Sequence, residues 1–435
     1  MSNSNYEDSK KLAINKMQDA QISDSAINQF MYYFDILAKK DSEEDNSNFL
    51  RESEIVPVNE IPSVNDFKNS DDTDVLSKVA MLKLNGGLGT SMGLSGPKSL
   101  LTIKNNLTFL DIIIKQLEST NEMYKSNIPL ILMNSLHTDK QTKSYINDHN
   151  TNLNIDYIFQ EDEPKLDAKT LEPASYPENP ELEFCPPGHG SVFITLYSSG
   201  ILDKLESSGI KYIFISNSDN LGATISPEIL AYFENNNFDF LMELARKTPA
   251  DVKGGHIVKY KNTTNLTIRE SAQVHPDDEK FAQDIDLHPY FNTNNLYIKI
   301  DALKKIINEY NGILPLPMIE NLKTVNPSDE NSQKVIQIET AMGSAIAITQ
   351  NSGLLHVNRD RLVPVKSTND LLLLRSDLYE FDDLYNLVAT IDSKKFPLIK
   401  LDKKYKLIND FENLIPKEIP SFKNISSDEI NKIFQ

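Results

Sequence analysis

Val79-Ala80-Met81-Leu82-Lys83-Leu84 runs without a break into Asn85-Gly86-Gly87-Leu88-Gly89-Thr90-Ser91-Met92-Gly93-Leu94-Ser95-Gly96-Pro97-Lys98, a hydrophobic run followed by a glycine-punctuated loop that ends on a lysine. The first six residues read as a buried strand. Gly86, Gly87 and Gly89 let the chain turn sharply and bring backbone N–H groups close to anionic oxygens, an approach that side chains would block. Pro97 fixes φ just before Lys98, so the loop exit is stiff and a point charge can be held against a phosphate. The spacing matches neither G-x-x-x-x-G-K-[ST] nor G-x-G-x-x-G. Taken alone, the stretch reads equally as a structural turn or as a triphosphate cradle.

Outward from this loop, short hydrophobic runs alternate with helical patterns: Val79–Leu84, Thr108–Tyr124, Ile128–Met133, Thr138–His149, Ile155–Phe159, Ser191–Leu205, Ile210–Ser216 and Pro227–Asn235. Such alternation predicts an α/β fold with a mostly parallel sheet covered by helices on both faces. Ligands of such sheets bind beyond the carboxyl ends of the strands, where Gly86–Lys98, Gln160 and Asn217–Asp219 all fall. From Phe238 to Ile300 the runs lengthen (Phe238–Ala245, His256–Tyr260, Leu266–Val274, Leu296–Ile300) and read as an antiparallel extension. Ahead of the sheet, Lys10 to Ala38 reads as two helices broken near Ser23 and Asp24. After it, Thr368 or Asn369 opens a capped helix.

At 435 residues the chain can bury a large core and form more than one domain. A formal charge of −19 argues against a nucleic-acid or anionic-membrane partner. The one cysteine, Cys185, excludes an intrachain disulfide framework, fits a reducing compartment and reads as a buried spectator. The N-terminus lacks the basic and apolar regions of a signal peptide, and no run approaches a membrane span, so a cytoplasmic protein is expected. Asp41-Ser42-Glu43-Glu44-Asp45-Asn46-Ser47 reads as a solvated linker.

The sequence resembles the UDP-glucose pyrophosphorylase family of eukaryotic type (UTP–glucose-1-phosphate uridylyltransferase). The resemblance begins at Leu84–Lys98. It recurs in order at Pro186-Pro187-Gly188-His189-Gly190, Ser216-Asn217-Ser218-Asp219-Asn220-Leu221, Ala250-Asp251-Val252-Lys253-Gly254-Gly255, Phe291-Asn292-Thr293-Asn294-Asn295-Leu296, Glu339-Thr340-Ala341-Met342-Gly343 and Val363-Pro364-Val365-Lys366. It implies a Rossmann-like (GT-A-like) nucleotidyltransferase with a mixed, mostly parallel central sheet, an antiparallel extension and a short C-terminal region. The domains expected are N-terminal helices and acidic linker over 1–74, a catalytic domain over 75–380 and a C-terminal region over 381–435. Members of the family usually continue into a C-terminal β-helix; Asp402 to Gln435 is too short for several coils, so a monomer or small homo-oligomer is expected.

The activity implied is uridylyl transfer from UTP to glucose 1-phosphate, giving UDP-glucose and pyrophosphate with Mg²⁺. Two polyanions must meet, so positioning and cations matter more than a nucleophile or base. By resemblance, Lys98 contacts the nucleotide phosphates and Lys366 stabilises the transferring α-phosphoryl group; these two are the candidate catalytic residues. Asp219 is the candidate Mg²⁺ ligand, since Mg²⁺ takes one or two carboxylates and completes its shell with water and phosphate; a second protein ligand is left open. An isolated strand-end Asp otherwise serves as a cap or turn former. The nucleotide set is Leu84, Asn85, Gly86, Gly87, Lys98, Gln160, Gly188, Asp219 and Lys366, with the Gln160 amide matching the uracil edge. The sugar-phosphate set is Gly87, His189, Asn217, Ser218, Asp219, Gly255, Asn292, Asn294 and Glu339. Glu339 reads either as a sugar-hydroxyl acceptor or as a helix-start carboxylate. Ser191 stands where the family often has an acidic residue.

Two other readings compete. A UDP-N-acetylhexosamine or broad UDP-sugar pyrophosphorylase more often has Arg after Gly-Thr, where this chain reads Gly89-Thr90-Ser91-Met92. A noncatalytic nucleotide-sugar sensor could dispense with Lys98, Asp219 and Lys366, which are all present.

Overall fold

A computed structural model of the chain describes residues 3–39, 49–67, 73–248, 251, 254–416, 418–423 and 425–435. The acidic stretch Asp41–Ser47 and Ala250, Val252 and Lys253 of the fourth motif lie outside the described residues. The fold is α/β, and the chain divides into a first unit (Met1–Asp66, Ile158–Ile213, Phe233–His356) and a second (Phe67–Tyr157, Phe214–Tyr232, Val357–Gln435). Among the described residues no helix is long and apolar enough to cross a membrane.

The second unit holds Val79–Leu84 and Leu130–Asn134, which are parallel, with most of Tyr212–Asn217 beside the first and the start of Ile155–Phe159 beside the second. The Val79–Leu84 run is buried almost throughout, as a strand covered on both faces must be. Its one polar residue, Lys83, is fully buried, and Nζ donates to Ser216 Oγ at 2.9 Å and to the Ala223 carbonyl at 2.7 Å. The helix Phe109–Tyr124 opens with a reciprocal capping box: the Asp111 N–H donates to Thr108 Oγ1 at 3.1 Å, and the Thr108 N–H to Asp111 Oδ2 at 2.8 Å.

The first unit is mainly antiparallel. Strand Phe240–Arg246 pairs antiparallel with Tyr290–Lys299 and parallel with Ser352–His356, while His256–Tyr260 pairs antiparallel with Leu266–Arg269 and Ile55–Pro57. A second sheet joins Met318–Thr324, Lys334–Thr340 and Leu166–Asp167. Helices α1 (Asn3–Asp19) and α2 (Asp24–Ala38) pack on that sheet through Met17, Phe30 and Phe34 against Leu166, Ile336 and Ile338.

Several boundaries depart from the sequence reading. The helix after Lys366 is capped by Ser367, whose side chain shares a capping box with Asp370, and not by Thr368 or Asn369. The Ser191–Leu205 pattern splits at Gly200 into Val192–Ser198 and Ile201–Ser207. The Leu266–Val274 run ends as a strand at Arg269, and the strand expected from Leu296 already starts at Tyr290.

Candidate functional site

In the second unit, three strand ends are tied together where the glycine loop leaves the sheet. The Asn85 N–H donates to the Met133 carbonyl at 2.8 Å, and its amide donates to Asn134 Oδ1 at 2.8 Å and Thr142 Oγ1 at 2.9 Å. The Ser218 N–H donates to the Leu84 carbonyl at 3.2 Å. Asn85 is thus buried with its side chain spent on the framework. Gly86 and Gly87 follow it, held by Ser135 Oγ donating to the Gly86 carbonyl at 3.0 Å and by the Lys98 N–H donating to the Gly87 carbonyl at 2.9 Å. That second bond closes the loop and returns Lys98 to the strand end. A Cβ on Gly87 would meet nothing within 4 Å, so the backbone there faces open space.

Asp219, just past the strand Tyr212–Asn217, carries the opposite charge. Lys98 Nζ pairs with Asp219 Oδ2 at 2.5 Å. The Val365 N–H donates to the Asp219 carbonyl at 3.3 Å, and Asn220 bridges Pro364 and accepts from the Val363 N–H at 2.8 Å. Lys366, with an exposed side chain, therefore follows directly on a β-contact with the Asp219 segment. Three separated stretches bring Lys98, Asp219 and Lys366 into one neighbourhood, framed by Leu84, Asn217 and Ser218.

The first unit holds the remaining residues as one contiguous patch. Gln160 Nε2 donates to the Gly188 carbonyl at 2.9 Å and to Ser191 Oγ at 2.8 Å, and Ser191 Oγ donates to the Gly188 carbonyl at 2.9 Å. With both amide hydrogens used, Gln160 has its carbonyl oxygen left as an acceptor. Gly188 has φ +77°, and its Cβ position lies 2.5 Å from the Thr340 carbonyl oxygen, so only glycine fits here. His189 Nδ1 accepts from the Met342 N–H at 3.0 Å. Burial pulls its pKa down to about 4, so the ring is neutral, carries its proton on Nε2 and acts there as a donor.

Met342 leads to Gly343, whose Cβ position is 2.6 Å from Asn292 Nδ2. The Asn292 amide donates to Asn294 Oδ1 at 2.8 Å, and the Asn294 N–H returns a bond to Asn292 Oδ1 at 2.8 Å. Asn294 has φ +60°, and the pairing between Phe240–Arg246 and Tyr290–Lys299 slips between Asn292, which pairs with Leu244, and Leu296, so Asn294 sits on a bulge outside the ladder. The Asn292 N–H donates to the Gly255 carbonyl at 3.1 Å, and Glu270 Oε2 lies 2.4 Å from the Gly255 Cβ position. Burial raises the Glu270 carboxyl to about 6. Glu339 is on the strand Lys334–Thr340 beside Gly188 and not at a helix start, and desolvation raises its pKa.

The structure thus collects the expected residues into two groups, one per unit. Gly87, Asn217, Ser218 and Asp219 of the sugar-phosphate set belong to the second unit, and His189, Gly255, Asn292, Asn294 and Glu339 to the first. Sequence reasoning missed Glu270 and Gly343 as members of the first group. It noted Ser191 only as a departure, whereas Ser191 links Gln160 to Gly188. Cys185 is buried, as expected, and desolvation raises its thiol well above the ordinary value.

The sequence model of the UTP–glucose-1-phosphate uridylyltransferase family matches residues 27–432. A probable UTP–glucose-1-phosphate uridylyltransferase of Schizosaccharomyces pombe is 40% identical over 349 residues, 79% of this chain and 67% of that one. The enzyme of the same name from Musa acuminata is 39% identical, over 81% of this chain and 74% of that one. A Leishmania major UDP-glucose pyrophosphorylase solved in complex with UDP-glucose superposes with a TM-score of 0.86 at 38% identity, covering 95% of this chain and 89% of that one. A Trypanosoma brucei UDP-glucose phosphorylase does so with a TM-score of 0.87 at 38% identity, covering 96% and 90%. With most of its length matched in sequence and in fold, this chain belongs to the UTP–glucose-1-phosphate uridylyltransferase family.

Proposed function

We propose that this protein transfers the uridylyl group of UTP to glucose 1-phosphate, releasing pyrophosphate and UDP-glucose. A phosphate oxygen of the sugar attacks the α-phosphorus in line as the bond to the β-phosphate oxygen breaks, without a covalent enzyme intermediate. The attacking oxygen is already ionised, so no general base is called for, and neutral His189 acts as a donor to the sugar phosphate. Lys98 and the backbone at Gly86 and Gly87 receive the UTP phosphates, while Lys366 meets charge that develops at the α-phosphoryl group. Asn292, Asn294, Glu339 and Glu270 offer acceptors and donors to sugar hydroxyls.

Gln160 carries the reading of the base. Its free carbonyl accepts from the N3–H of uracil and has nothing to offer the unprotonated N3 of cytosine.

Asp219, whose carboxylate already pairs with the cationic Lys98 where the glycine loop leaves the sheet, would be the one protein carboxylate holding Mg²⁺, an ion that commonly takes one or two. Among the described residues no group of three or more His, Cys, Asp or Glu forms a protein cage for it. When bound, the ion neutralises phosphate charge. The single cysteine, buried and protonated, supports a cytoplasmic setting.

Pyrophosphate release with glucose 1-phosphate, compared between UTP and CTP, tests the proposal. Release with UTP and discrimination against CTP by about 10² or more is expected, because the wrong base leaves a buried acceptor unpaired. Equal turnover of the two nucleotides would contradict the Gln160 reading.

A further inference from the structure

The α1–α2 hairpin holds the residue after Gln160 at the start of α2 and bonds the Leu314–Leu316 backbone farther along that helix. Ser23 is the N-cap of α2, its Oγ accepting from the Ala26 N–H at 3.3 Å. The Ser23 N–H donates to Glu161 Oε1 at 2.8 Å, and the Ser23 hydroxyl donates to Glu161 Oε2. Both oxygens of one carboxylate are thus held by one residue, at the helix end where negative charge is favoured. Glu161 directly follows Gln160. Farther along α2, the Gln29 amide exchanges two bonds with the Leu314 backbone, at 3.0 and 2.8 Å, and the Tyr33 hydroxyl lies 3.1 Å from the Leu316 carbonyl. The Leu316 side chain in turn lies 2.9 Å from the Gly190 Cβ position. A cavity of about 40 Å³ is lined by Gln29 and Tyr33 of α2 together with Glu163, Gly190 and Ser191 among others.

We infer that Glu161 is a positioning residue and that, through it, the N-terminal hairpin sets the affinity of this protein for its uridine nucleotide; the inference rests on the base-binding role of Gln160 given above. The Gln160 amide selects a base only if its plane and its backbone are fixed before the ligand arrives. Gly188 and Ser191 fix the amide. Glu161 fixes the backbone one residue later, and Ser23 ties that point to a helix whose other face is packed on the strand carrying Glu339. Loss of this pre-organisation weakens binding and leaves the phosphoryl-transfer chemistry, which lies with Lys98 and Lys366, untouched.

The test measures the dissociation constant of UTP, kcat, and the KM for glucose 1-phosphate in Glu161→Ala, Ser23→Ala, Ser23→Thr and Gln160→Ala, with Tyr6→Phe as the control. Tyr6 bonds Asp35 at 2.7 Å within the same hairpin, so its substitution loosens the hairpin without touching Glu161. Glu161→Ala and Ser23→Ala are expected to weaken UTP binding roughly five- to tenfold, the scale of a lost charge-assisted hydrogen bond. Their kcat and their KM for glucose 1-phosphate stay at the parent value, Ser23→Thr restores UTP affinity, and Tyr6→Phe does not alter it. Parent-like UTP binding in both alanine variants overturns the inference, as does equal weakening in Tyr6→Phe, which would mark a general stability effect. Should Glu161→Ala fail to fold, Ser23→Ala alone decides. Unaltered UTP binding in Gln160→Ala overturns the base-site reading and the inference with it, whereas a loss there with no loss at Ser23 or Glu161 overturns the inference only.

Discussion

Alanine at position 188 tests whether the base-binding loop is built as described. Gly188 has φ +77° and ψ 169°, a region that essentially only glycine occupies and that costs another residue about 1–3 kcal/mol. The added Cβ would lie 2.5 Å from the Thr340 carbonyl oxygen and 2.8 Å from its nitrogen, both backbone atoms of a paired strand with no freedom to rotate away. Ordinary contact begins near 3.4 Å, so the loop must retreat by the difference, about 0.9 Å. Added to the 2.9 Å bond from Gln160, that retreat gives about 3.8 Å, beyond hydrogen-bond range. The lost bond adds about 1 kcal/mol to the strain, for a total of roughly 2–4 kcal/mol. Urea unfolding should show this loss, and titration with UTP should show binding weakened at least about tenfold, or 1.4 kcal/mol. Gly87→Ala is the paired control. Its Cβ meets no neighbour, so stability should stay within about 0.5 kcal/mol, while UTP binding weakens because a side chain now stands where the phosphates approach. A Gly188→Ala variant as stable as the parent, with parent-like UTP binding, would refute the argument from loop geometry.

Further outcomes follow from the same geometry. Lys366→Ala should lower kcat by about 10²–10³, the scale for removing one donor to transition-state charge, with UTP affinity nearly unaltered; near-parent turnover would remove Lys366 from catalysis. Asp219→Asn should shift the Mg²⁺ titration of activity to higher concentration, and an unshifted curve would make Asp219 structural. Glu270→Gln should stabilise the protein at pH 8 by up to roughly 2 kcal/mol, because the native carboxyl titrates near 6 against 4.5 for the free group. With a raised native pKa, the native state binds more protons across that window and the penalty grows as pH rises through it. The gain should therefore vanish by pH 4.5, and a pH-independent gain would contradict the burial of that carboxyl.

The parts of the site that were legible in the sequence are those written in local spacing. The run Val79–Lys98 announces a strand, a turn and a held cation because glycine and proline act on their own backbone, and Asn217–Asp219 announces itself by following a hydrophobic strand. What was not legible depends on distant partners. The asparagines of 292–295 are poor strand formers, so the strand was read only from Leu296, whereas pairing with Phe240–Arg246 carries it back through a bulge. Glu339 resembled a helix-start carboxylate because Met342 opens a helical turn close behind it; pairing of Ile319 with Glu339 keeps it in a sheet. Glu270 joins the patch only because strands His256–Tyr260 and Leu266–Arg269 fold back on each other beside Gly255, and no local pattern signals that. Ser191 is locally unremarkable as a loop serine, and its link to Gln160 spans a separation that no motif records.

The most direct measurement of the central claim is product identification by mass spectrometry after incubating the purified protein with UTP, Mg²⁺ and a panel of sugar 1-phosphates, including glucose 1-phosphate and N-acetylglucosamine 1-phosphate. The account predicts UDP-glucose and pyrophosphate in equal amounts as the dominant products, dependent on Mg²⁺ and formed about 10²–10³-fold more slowly by Lys366→Ala. Preferential formation of UDP-N-acetylglucosamine, or UTP binding with no pyrophosphate released from any sugar phosphate, would contradict it.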